Sequence, residues 1–217
     1  MPDSMPNPIK EPLQARSRAT ANQVLDALYD LLRQKDLAAI SIQELARASG
    51  ASVSSIYARF QDKHAMVLAL HERLTASLTE EITTLARRPF VDMPLQDVVE
   101  TVLTEFLAFA RRHQHLYRAA ILSGDALIYQ RVVGQIRLAS QLCFSWLQAH
   151  PLVPGDDLEQ RVDFAVRALV ATLQQTWVMG TQSPSRFELS DAELVRQLGR
   201  MATAYLFWNG EPDDKQD

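Results

Sequence analysis

A single cysteine, Cys143, occurs in 217 residues, which excludes a disulfide framework within the chain and any cysteine-rich zinc site. A reducing, intracellular compartment is the corresponding expectation. No run approaches the roughly 18 consecutive apolar residues that would span a bilayer. The opening stretch MPDSMPNPIKEP holds four prolines and no apolar core, so it reads as a flexible tail rather than a secretion signal. A soluble, cytoplasmic protein is expected. Alternating apolar and polar residues bounded by turns are missing, so strands are not expected. Also missing are a phosphate-binding glycine loop, a dinucleotide fingerprint and an HExxH pair, so neither a cofactor nor a metal is expected. An excess of basic residues is lacking too: the formal charge is −4.

That charge is unevenly spread. Residues 1–64 hold eight Lys/Arg against seven Asp/Glu, whereas the remainder holds fourteen against nineteen. A near-neutral first quarter on an acidic body is compatible with a nucleic-acid-binding head, although only a local basic surface matters to phosphates. Helical periodicity runs from Arg16 to Trp208. Val24, Leu25, Leu28, Leu31 and Leu32 form one apolar stripe of a helix that ends near Asp36. Ser41 and Glu44 have the spacing of a capping box, and Gly50 suits a helix end. A short helix from about Ser52 to Arg59 follows, and Asp62 caps a long fourth helix that ends before Pro89.

Further helices are expected from Pro94 through Phe109, from His115 to Leu122, from Asp125 to Gln148, from Asp156 or Asp157 to Gly180, and from Ser190 to Trp208. The predicted fold is all-α: a three-helix head with a helix-turn-helix, then a six-helix bundle. The corresponding divisions are a tail at 1–15, the head at 16–63, the body at 64–208 and a tail at 209–217.

Two short helices joined through a glycine and started by serines outline a helix-turn-helix, whose second helix enters the major groove. Serine is a poor helix former, so Ser52, Ser54 and Ser55 need a reason beyond folding. They are short and can hydrogen-bond close to DNA. Ile56 and Phe60 face inward with Leu45 and Leu28, leaving Val53, Ser54, Ser55 and Tyr57 outward.

VLDAL at 24–28, SIQELARASG at 41–50, Ile56 and Tyr57, Phe60, Asp62 and Lys63 resemble the DNA-binding head of the TetR (tetracycline repressor) family over about fifty residues. The resemblance implies phosphate contacts from Ser41, Tyr57 and Lys63, and base contacts from Val53, Ser54 and Ser55. Arg16 and Arg18 would reach the backbone or an adjacent minor groove. It further implies a homodimer on a palindromic operator, acting as a repressor released by a small molecule. The sequence departs from the family pattern at Asp36, where glycine is usual, at Val53 and Ser54, where lysine and glycine are common, and at Ala21, where arginine is frequent. Weaker phosphate attraction and closer apolar contact are the expectation, for example Val53 against a thymine methyl.

The last two long helices are apolar nearly all round, from Phe164 to Leu173 and from Met201 to Trp208, so each needs cover on two sides. A symmetric dimer through both helices supplies it, with Ala165, Ala168 and Ala171 permitting close approach. Candidate effector contacts are the polar interruptions Gln135, Thr172 and Thr176 and the aromatics Phe106, Tyr117 and Trp146. Arg167 reads instead as part of a solvated stripe paired with Asp163. Two other readings stand beside this one. The body could only dimerise or meet a protein partner, and would then be packed solid rather than hold a cavity of several hundred cubic ångströms. An all-α enzyme is the other. His113 and His115 point apart on a helix, and Cys143 reads as a buried inert thiol.

Overall fold

Val24, Leu25, Leu28, Leu31 and Leu32 are all buried, which is what a single apolar stripe requires of the first helix. The computed structural model describes residues 10–150, 153–178 and 186–208. Among them the order is α1 (Lys10–Leu32), a 3-10 turn (Leu37–Ala39), α2 (Ile42–Ser49), α3 (Val53–Tyr57), α4 (Lys63–Ala86), α5 (Leu95–Leu122), α6 (Ala126–Ala149), α7 (Leu158–Val178) and α8 (Asp191–Phe207), with no strand among the described residues. The chain divides into two compact units, Met1–Arg73 and Leu74–Asp217, with α4 contributing to both. Residues 1–9, 209–217 and Gly180, parts of the expected tails and helix end, lie outside the described residues.

In the first unit, α1 begins at Lys10, inside the stretch expected to be tail, and ends at Leu32 rather than near Asp36. Asp36 is extended, with φ −66 and ψ 151, so it does not adopt the left-handed conformation implied by the family's glycine. The chain instead turns through amides of Arg33, Gln34 and Lys35 donating to carbonyls of Asp30 and Leu31, and aspartate carries no strain there. Asp62 caps α4 as expected, its Oδ1 accepting the Ala65 amide at 2.7 Å. Arg73 pairs with Asp26 at 3.0 Å and also donates to Asn22, tying α4 to α1.

In the second unit, α5 packs against α7 and α8, and α6 against α7. The expected interruption of α5 near His113 does not occur. RRHQHLYRAA contains neither proline nor glycine, and Phe109, Leu116 and Ala120 keep one buried face through it. Five long helices, α4 to α8, therefore take the place of the six expected. Gly199 lets α8 come close to α5, since a Cβ there would sit 2.6 Å from Glu100 Cγ. Arg111 clips the two together, its Nη2 and Nε donating to Asp191 at 2.6 and 3.1 Å. The buried Arg161 donates to Asp157 at 2.9 Å and to the carbonyls of Pro154 and Leu206, joining the start of α7 to the end of α8.

Candidate nucleic-acid interface and body cavity

Ser41 starts α2 by accepting the Glu44 amide on Oγ at 3.1 Å. The second half of the expected capping box is absent, because Lys35 Nζ donates to Glu44 Oε1 at 2.6 Å. That hydrogen bond holds the Glu44 carboxyl below its usual range. Gly50 ends α2 at φ 69, a left-handed conformation in which most side chains are strained.

Ser52 then caps α3, its Oγ accepting the Ser55 amide at 3.1 Å. The same hydroxyl donates to Ser55 Oγ at 2.8 Å and lies 3.0 Å from Ser54 Oγ. The three hydroxyls thus form one hydrogen-bonded cluster at the start of α3. Ile56, fully buried, and Phe60 anchor α3 beside the buried Leu45 and Leu28. Opposite them Val53 is 36% exposed and Tyr57 55%, and Ser52 and Ser54 are exposed as well. The serines therefore do two jobs: they start a five-residue helix and crown it with short polar groups.

The expected cations fare differently. Lys63 Nζ donates to the carbonyls of Leu37 and Ile40, both at 2.7 Å, and so pins the 3-10 turn to the start of α4. In this conformation its ammonium serves the fold rather than facing outward as a phosphate contact. Arg59 similarly donates to the carbonyls of Ser17 and Ser55. Arg18 is exposed, and Arg16 falls within α1. Gln43 and Arg47, not among the residues singled out from the sequence, are exposed one turn apart on α2. Their i, i+4 spacing on the face away from Leu45 was the available signal.

A partly open cavity of about 190 Å³ lies in the second unit, lined among the described residues by α4 to α8 and by Phe90 from the α4–α5 connection. It is smaller than the several hundred cubic ångströms expected of a ligand sensor, yet the body is not packed solid. Of the six effector candidates, Phe106 and Trp146 line it. Tyr117, Gln135, Thr172 and Thr176 do not. Thr172 and Thr176 donate to carbonyls of their own helix, at Ala168 and Leu173. Gln135 donates to Thr79 at 2.9 Å. Tyr117 is buried, and desolvation raises its phenol well above the ordinary value. Thr172 and Thr176 are thus satisfied within their own helix, whereas Gln135 keeps its Oε1 buried with no hydrogen-bond partner. Residues missed by the sequence reading are Phe90, Val99, Val166 and Leu169, whose apolar character is indistinguishable in sequence from plain core. Arg167 pairs with Asp163 at 2.9 Å, as read. Among the described residues no group of three or more His, Cys, Asp or Glu side chains forms a metal site, and no helix is long and apolar enough to cross a membrane.

Two capped short helices, a left-handed glycine between them and an outward second helix define a helix-turn-helix protein. The family model described as "Bacterial regulatory proteins, tetR family" matches residues 24–70. An uncharacterized HTH-type transcriptional regulator of Mycobacterium tuberculosis is 36% identical over 166 residues, 73% of this chain and 76% of that protein. Nucleoid occlusion factor SlmA of Glaesserella parasuis is 29% identical over 118 residues, 54% of this chain, and the match spans only 56% of its length. A tetR-family regulator from Streptomyces coelicolor has the same fold, with a TM-score of 0.64 at 21% identity, covering 86% of this chain and 79% of that one. The chain belongs to the TetR family of DNA-binding transcriptional regulators, a regulatory and not an enzymatic family.

Proposed function

We propose that the protein is a ligand-responsive transcriptional regulator that binds a palindromic DNA operator as a homodimer and, as a repressor, is released by a small molecule. The observation that carries this is α3: Ile56 and Phe60 anchor it while Ser52, Val53, Ser54 and Tyr57 face solvent. An exposed valine and tyrosine on a serine-rich helix gain nothing for folding and suit a groove. Ser41, Tyr57, Arg18 and Arg47 are the proposed phosphate contacts, and Val53, Ser54 and Ser55 the base contacts.

Dimerisation through α7 and α8 is supported by Phe164, Met201, Phe207 and Trp208, which are 44–63% exposed. The rings of Phe164 and Tyr205 lie 5.3 Å apart, tilted by 47°, so the two helices share one aromatic surface. Ala171 is exposed there, whereas Ala165 is buried in its own subunit and takes no part in the approach. A two-fold pair presents α3 twice, about one DNA turn apart. Because α4 continues from the head into the cavity wall at Ile82, Leu85 and Ala86, occupancy of the cavity has a direct route to that spacing.

Footprinting of genomic fragments with the purified chain tests the reading. A protected palindrome whose binding weakens steeply with salt is expected. Val53→Ala is expected to leave stability within about 0.5 kcal/mol, since the side chain is partly exposed, and to cost about 1 kcal/mol of base preference at one position per half-site. No salt-sensitive preference for any fragment would overturn it.

A further inference from the structure

We infer that the effector of this body is a compact, uncharged, predominantly hydrocarbon molecule bound among Phe90, Val99, Phe106, Cys143, Trp146 and Val166, an inference that rests on the ligand-sensor reading above. Among the described residues of the lining, the only side-chain heteroatoms are Cys143 Sγ and Trp146 Nε1. Apart from Phe90, the lining residues belong to helices, whose interior backbone groups are paired along the helix.

A carboxylate held among these described residues would meet no cation and an ammonium no anion, and burying an unpaired charge is far costlier than burying a neutral polar group. The lining has no means of acquiring a charge, because burial pushes the Cys143 thiol up to about 11. Trp146 Nε1 is buried with no hydrogen-bond partner, so a single acceptor oxygen is the most polarity the lining can complement.

Size points the same way. At about 190 Å³ the space exceeds the roughly 150 Å³ apolar cavity known to take up benzene, and it falls below the roughly 300 Å³ at which drug-sized sites begin. One or two fused rings, or a short branched alkyl group, match it. Phe90 forms part of the wall with its ring edge-on to Trp146 at 6.0 Å, and its backbone φ of 37 is unfavourable for a bulky side chain. Strain of this kind is concentrated where a structure closes on a ligand.

The test uses the full chain, with toluene and naphthalene as uncharged probes and 1-naphthoate and 1-naphthylmethylammonium as charged ones. Calorimetric titration and thermal midpoints should show saturable binding of at least one uncharged probe, and affinity at least about 100-fold weaker for the charged ones. Val166→Phe, which fills the space, should abolish the response. Val166→Ala, the milder change, should shift preference from toluene towards naphthalene. Comparable binding of a charged probe, or no binding of either uncharged probe, overturns the inference. Operator affinity measured with and without bound probe separates the two readings. Naphthalene that binds without altering DNA affinity leaves the ligand class standing and removes the sensor role. Release of DNA by a charged probe alone does the reverse.

Discussion

Lys63→Met separates two roles that a lysine at the start of α4 can have. Methionine keeps most of the apolar stem while deleting the ammonium, and with it the hydrogen bonds to the carbonyls of Leu37 and Ile40, both at 2.7 Å. A hydrogen bond from a charged donor contributes about 1.5–3 kcal/mol. Lys63 is half-buried, so solvent takes over part of each lost bond, and about 2 kcal/mol in total is expected for the pair. The loss is local: amide exchange at Ala39 and Ile40, which donate within the same turn, should accelerate together with a fall in the urea midpoint of the head. DNA affinity should drop, but the slope of log affinity against log salt should stay near the wild-type value. A phosphate contact behaves in the opposite way, with stability unchanged and the slope smaller by about 1. Stability within about 0.5 kcal/mol of wild type together with that slope change would refute the structural role.

Three further substitutions probe other joints. Ser52→Ala removes the cap of α3 and the hub of its hydroxyl cluster; about 1 kcal/mol of local stability should go, read as faster exchange of the Ser55 amide and weaker operator binding. Arg161→Met leaves the carbonyls of Leu206 and Pro154 without their donor, while the largely exposed Asp157 is resolvated, so global stability measured in urea should fall by about 1–3 kcal/mol. Gly199→Ala forces a methyl onto Glu100 Cγ and should destabilise by about 1–3 kcal/mol. Combining it with Glu100→Ala should recover most of that loss in a double-mutant cycle.

The helix-turn-helix was legible because its marks are local. Ser41, Gly50 and Ser52 act on backbone atoms within three residues, and the anchors Ile56 and Phe60 follow from helical spacing. Lys63 was not legible in the same way. Its carbonyl partners lie 26 and 23 residues earlier and are set by tertiary packing. Glu44 shows the same limit, since the box spacing is consistent with a reach back to Ser41 until Lys35, nine residues away, captures the carboxylate. In α5 the polar run around His113 looked like a boundary, but outward polar residues do not end a helix whose inner face continues. Of the effector candidates, Gln135, Thr172 and Thr176 rest on the idea that a ligand site needs polar anchors, and Phe106, Tyr117 and Trp146 on aromatic walls, of which Phe106 and Trp146 line the cavity. Thr172 and Thr176 answer to their own helix, and the described lining of the cavity is nearly all carbon, which in sequence looks like any other core.

A chamber walled almost wholly by carbon discriminates by bulk and contour alone. One methylene more or less changes the fit by only about 1–3 kcal/mol, so near-isosteric guests cannot be sharply told apart. Acting as the proposed sensor, such a chamber would answer to a chemical neighbourhood rather than to one compound. Its tuning can drift through single exchanges of valine, alanine and leucine, with no need to invent a new counter-ion.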